Sequence, residues 1–150
     1  MTGSTAQTLG TNRPQSVDVH RLEVVHVEGD AYTVDVREHR LQVDQPPAAG
    51  GTDTAPTPTE LFAASLATCV AFYAGRYLHR HGLPQAGLRV RTEFTMATDR
   101  PPRVASLRLV IEPPPELPEH RRAGLLAVAS HCTVHNTLRR PPEIDIEVGP

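Results

Sequence analysis

The chain has 150 residues and a formal net charge of −2, enough for one domain with a hydrophobic core and too short for two independent ones. All 15 basic residues are arginine, so a lysine Schiff base, a Walker-type phosphate lysine and a lysine general base are excluded. Charge of either sign is scattered, which argues against a nucleic-acid or acidic-membrane surface, and neither of the two cysteines lies in a CxxC pair, so the thioredoxin pattern fails.

Residues 1–15 are polar and rich in Thr and Gly, and read as a disordered N-terminal tail ahead of a single domain over 16–150. Val17–Val27 reads as a strand by its β-branched content. After the Gly29-Asp30 turn, Tyr32, Val34 and Val36 alternate with Thr33, Asp35 and Arg37, and Arg40–Asp44 makes a third strand of a meander. Gln45–Pro58 carries Pro46, Pro47, Gly50, Gly51, Pro56 and Pro58, the composition of a long irregular loop with a functional role.

That loop delivers the chain into a helix. Thr57 suits the N-cap, Pro58 the first position and Glu60 the third, a capping box. Leu61–Ala74 then has no polar face, and the helix ends at Gly82. A helix apolar on every side must be covered on every side, which predicts a partner subunit against the face that this chain's own sheet cannot reach.

Val90, Thr92, Phe94 and Met96 share one face of a strand opposite Arg89, Arg91 and Glu93. Val104–Glu112 reads as its antiparallel partner. Glu119–His131 is helical in pattern, with a stripe of Leu125, Leu126, Val128 and Ala129, and Ile144, Ile146 and Val148 alternate with acids in a last strand. The order predicts an α+β fold, with antiparallel sheets around a long buried central helix. No stretch reaches the roughly 18 apolar residues that a bilayer span needs, so a cytoplasmic protein is expected, whose cysteines pair at most transiently.

Cys69 lies in the apolar helix and Cys132 at a helix boundary in His131-Cys132-Thr133-Val134-His135-Asn136, where backbone N–H groups can favour a thiolate. Cys69 alone fits a core cysteine equally well. His131 and His135, four apart beside Cys132, suggest zinc, but a structural zinc site wants four ligands and only Cys69 could add one, so the histidines read as surface or packing residues. Ser65 lacks the Gly-x-Ser-x-Gly elbow of a hydrolase.

The stretch Pro56-Thr57-Pro58-Thr59-Glu60-Leu61-Phe62-Ala63-Ala64-Ser65-Leu66-Ala67-Thr68-Cys69, followed by Cys132-Thr133-Val134-His135-Asn136-Thr137-Leu138, resembles the osmotically inducible protein C (OsmC) and organic hydroperoxide resistance (Ohr) family. Asp44-Gln45-Pro46 and the Gly50-Gly51 loop resemble its general OsmC-like branch, and the resemblance runs from about Val17 to Val148. It implies an intertwined homodimer and a thiol-dependent peroxidase serving oxidative stress defence. Cys69 would be the peroxidatic thiolate, reducing an organic hydroperoxide to an alcohol as it becomes a sulfenic acid, and Cys132 would resolve it as a disulfide. A dithiol reductant such as a lipoyl protein would restore the thiols, with no metal, haem, flavin or nicotinamide cofactor.

In the peroxidase branches a Glu-held Arg activates the first cysteine, the Glu ten residues before it. Here that position is Thr59, and Glu60, one place on, reads as the capping-box acid. Arg13, Arg37, Arg40 and Arg76 are the candidate arginines, and Phe62, Leu66, Phe72 and Tyr73 the candidate pocket wall. Thr59 favours an alternative, a non-peroxidase OsmC-like protein that binds a hydrophobic small molecule in the dimer cleft.

Overall fold

Two antiparallel sheets frame residues 18–150, the part of the chain that the computed structural model describes. The expected tail over 1–15 and the start of the first strand at Val17 lie outside the described residues. β1 (Glu23–Glu28), β2 (Ala31–Val36) and β3 (His39–Val43) form the predicted meander, with the first strand shorter than the expected Val17–Val27 because residues 18–22 take no strand pairing. Its turns need residues at positive φ, Gly29 at 55° and Arg37 at 54°. This sheet makes little contact with the helices or with the second sheet. It therefore stands as an arm with Val24, Val25, Val27, Tyr32 and Leu41 exposed.

The loop after β3 is ordered by one carboxylate. Asp44 is buried, and its oxygens accept from the amides of Gln45, Thr52 and Thr54 and from the hydroxyls of Thr52 and Thr54, at 2.7–3.2 Å. These bonds hold its pKa far below the usual carboxylate value, the Thr54 amide contributing most. Gly51 passes so close that a Cβ there would lie 1.9 Å from the Gln45 carbonyl oxygen, so only glycine fits.

α1 (Pro58–Arg80) begins with the predicted capping box: Thr57 Oγ1 accepts from the Glu60 amide at 3.2 Å, and Glu60 accepts from the Thr57 amide at 2.8 Å. Leu66, Val70, Ala74 and Leu78 recur every fourth residue and form its buried stripe. They meet Leu117 and, from α2 (Arg122–Ala129), Leu125 and Ala129. Within one chain α1 is covered along this stripe and at Ala63, Gly75 and Tyr77, while Phe72 stays 57% exposed, on the side expected to meet a partner subunit. One correction concerns length: α1 is long and apolar enough to cross a membrane by size and composition, because the span that qualifies extends beyond Leu61–Ala74.

β4 (Arg89–Met96) pairs antiparallel with β5 (Val104–Glu112), as expected, and the sheet packs on α1. The helix expected over 119–131 is shorter and broken. Glu119–Arg121 is a single 3-10 turn, α2 follows, and a third helix, α3 (Thr133–Arg139), was not expected. Cys132 stands between them in extended conformation, φ −66° and ψ 154°, which ends one helix and lets another begin. Leu126, placed in the apolar stripe from sequence, is 59% exposed, because α1 takes Leu125 and Ala129 and leaves Leu126 about 100° round the helix. Glu143–Val148 is not a strand in the single chain. It has no neighbour to complete its hydrogen-bond ladder, and Ile146 and Val148 are 90% and 100% exposed.

Candidate functional site

Cys69 and Cys132 are 63 positions apart in sequence. The fold brings them into one hydrophobic cluster, Cys132 within it and Cys69 packed against it. Both are reduced thiols, Cys132 wholly buried and Cys69 partly exposed. α1 supplies Cys69 four residues before Tyr73, one turn along the same face. The Tyr73 hydroxyl hydrogen-bonds the Thr133 hydroxyl at 2.9 Å, which ties the first residue of α3, and Cys132 beside it, to α1 next to Cys69. Val134 packs on the same cluster.

Burial pushes the Cys132 thiol above its ordinary 9.0, and the neighbouring Cys69 side chain adds to the rise. The amides of His135 and Val134, in the first turn of α3, act against it. The helix boundary therefore does act on Cys132, but loss of water outweighs it.

The described candidate arginines have partners or places of their own. Arg37 sits in the β2–β3 turn, and Arg40 is bound to Asp35 at 2.7 Å. The Arg76 guanidinium lies 5.6 Å from the Phe72 ring centroid. Arg13 lies outside the described residues. Glu60 is held by its own helix cap. The expected pocket wall is split: Leu66 faces one hollow, Phe62 a second and Tyr73 a third.

His131 and His135 turn Nδ1 to backbone, to the carbonyls of Ala127 and Ser130. Sequence reasoning missed the Tyr73–Thr133 bond and the part Asp44 plays in the loop. A hydroxyl pair that meets only through the tertiary fold leaves no local pattern. Asp44 ahead of two threonines did carry a weak turn signal.

The OsmC-like protein family model matches residues 51–147, the span that contains α1, both cysteines and α3. The chain belongs to the OsmC-like family. Among solved structures, this OsmC-like chain is similar in fold to an osmotic stress induced and detoxification response protein assigned in Psychrobacter arcticus, with 22% identity over 82% of this chain and 90% of that one and a TM-score of 0.73. An OsmC-like protein of Mycoplasma pneumoniae gives 16% identity over 81% and 88%, with a TM-score of 0.69. The organic hydroperoxide resistance protein OhrB of Bacillus subtilis gives 17% over 81% and 92%, with a TM-score of 0.58. No curated protein matches the OsmC-like chain.

Proposed function

We propose that this OsmC-like protein is a cytoplasmic thiol-dependent peroxidase that reduces organic hydroperoxides in oxidative stress defence. The observation that carries the reading is the meeting of its two cysteines, one partly exposed and one buried, in a single apolar cluster. Fold likeness to a hydroperoxide resistance protein of Bacillus subtilis supports the same substrate class.

The roles follow from accessibility. Cys69 is the sulfur a peroxide can reach. Its thiolate attacks the distal peroxide oxygen, the O–O bond breaks, and the departing alkoxide takes a proton to leave as alcohol, with Cys69 a sulfenic acid. Cys132, kept protonated by burial, stands beside Cys69 as a hydrogen-bond donor. It then attacks the sulfenic sulfur, a disulfide forms and water leaves. A dithiol reductant such as a lipoyl protein restores both thiols by exchange and becomes a disulfide itself. The apolar surroundings favour organic peroxides over hydrogen peroxide.

The assembly in this reading is an intertwined homodimer. Its support is the exposed apolar face of the β1–β3 arm, the uncovered face of α1, and the alternating Ile144, Ile146 and Val148 left without a strand partner. In this reading the partner subunit is the source of the activating arginine.

The test is turnover of cumene hydroperoxide with dihydrolipoamide as reductant. Sustained consumption of both, abolished by Cys69→Ser and reduced to a single turnover by Cys132→Ser, is expected. Consumption by Cys69→Ser at the wild-type rate refutes the assignment.

A further inference from the structure

A helix end leaves its last carbonyls without partners, and the end of α2 lies next to Cys132. The backbone amides of Ser130, His131 and Cys132 reach back to Leu126, Val128 and Ala129, and then the extended Cys132 stops the helix. Side chains of the His131-Cys132-Thr133-Val134-His135-Asn136 motif take the carbonyls that remain. His131 Nδ1 donates to Ala127, within α2. His135 Nδ1 donates to the Ser130 carbonyl, and Asn136 Nδ2 donates to the His131 carbonyl at 3.0 Å. These last two bonds run from the first turn of α3 back to the end of α2, and Cys132 lies inside the corner that both of them close.

His135 holds that corner twice. Because a carbonyl only accepts, its Nδ1 carries the hydrogen of the bond to Ser130. Its backbone amide, with that of Val134, is turned to the Cys132 sulfur. Cys132 stands at the N-cap of α3 and makes no capping bond with its own side chain, so its neighbours set its place. All these bonds lie within one chain, and they hold whichever face a partner subunit covers.

Their effect falls on the second chemical step, and the inference rests on the peroxidase reading above. Once Cys69 is a sulfenic acid, two reactions compete for it. In one, the Cys132 sulfur attacks the Cys69 sulfur, the S–O bond breaks, the oxygen leaves as water with the thiol proton, and a disulfide forms. In the other, the Cys69 sulfur attacks a second hydroperoxide, gains its distal oxygen to become a sulfinic acid, and releases an alcohol. A dithiol reverses the first product and not the second. The first reaction is intramolecular and depends on how well the two sulfurs are placed, whereas the second follows the peroxide concentration.

We propose that His135 is a positioning residue for the resolving step: its ring, tied to the Ser130 carbonyl across the Cys132 corner, keeps Cys132 within reach of Cys69 and so protects Cys69 from overoxidation.

The experiment compares the reduced full chain with His135→Gln and His135→Asn. Asn carries an amide N–H close to the place of Nδ1, and Gln carries it close to the place of Nε2. The initial oxidation is read by trapping the Cys69 sulfenic acid with dimedone, and overoxidation by the Cys69 sulfinic fraction under excess cumene hydroperoxide, measured by mass spectrometry. His135→Gln should keep the initial rate and raise the sulfinic fraction about fivefold, the scale of one net hydrogen bond. His135→Asn should return that fraction to near the wild-type value. A Gln variant that overoxidises no more than the wild type, or an Asn variant as defective as Gln, overturns the proposal. So does a Gln variant slowed equally in the initial oxidation, which marks a general loosening of the fold. A wild type that forms no disulfide overturns the peroxidase reading and this proposal together, whereas a wild type that forms it, matched by both variants, overturns this proposal alone.

Discussion

At the scale of single residues, two buried acids of different chemistry answer pH in opposite ways. Asp44 is ionised and satisfied by five hydrogen bonds, so its pKa is depressed. Its stabilisation is fully present above the ordinary value of 3.8 and is lost as pH falls through the lower folded value. Asp44→Asn should lower the thermal midpoint at pH 7 and flatten the loss of stability below pH 4, as calorimetry across that range would show. A variant curve parallel to the wild type would deny Asp44 this part. Cys132 is the reverse case. Burial holds it protonated beyond 9.0, so alkylation followed by mass spectrometry should modify Cys69 first and Cys132 only at higher pH. Equal labelling at pH 7 would contradict the assigned roles. Asp44 and Cys132 were visible in the sequence as residues, but their environments were not, because both are set by contacts from distant segments.

At the scale of elements, α1 was the most legible part, since a capping box and a four-residue apolar recurrence are both local signals. Thr57→Ala should cost about 1 kcal/mol in chemical denaturation, the usual worth of an N-cap. The three meander strands and the β4–β5 hairpin were equally readable from period-two alternation. α2 and α3 were not, because two short helices separated by an extended Cys132 resemble one longer helix with an irregular end. Gly124 explains part of their packing: a Cβ there would come within 2.5 Å of the Tyr77 hydroxyl, so this glycine lets α2 approach α1. The Tyr73–Thr133 bond then fixes α3 against α1. Tyr73→Phe should lose about 1 kcal/mol of stability and slow disulfide formation between the cysteines, measured by denaturant titration and by thiol counting. Unchanged kinetics with lowered stability would reduce this bond to a structural one.

At the scale of the whole molecule, α+β class and OsmC-like membership were legible because two widely spaced cysteine motifs and the intervening element order occur together. The separation of 63 positions concealed whether the sulfurs meet, since nothing local encodes a contact made by tertiary packing. The last strand was misread for a related reason: alternation at Ile144, Ile146 and Val148 specifies a strand only where another strand is available to pair with it. Sedimentation should therefore give a dimer, and Ile146→Asp should weaken it with α1 intact by circular dichroism. A monomeric wild type would remove the proposed source of an activating arginine. The central claim, that the two thiols act as one redox couple, is tested most directly by treating reduced protein with one equivalent of cumene hydroperoxide, counting the remaining thiols and mapping the linked peptides by mass spectrometry. The account predicts loss of both thiols and a Cys69–Cys132 peptide pair within the single chain. Two thiols still titrating after the peroxide has been added, or linkage only between chains, would contradict it.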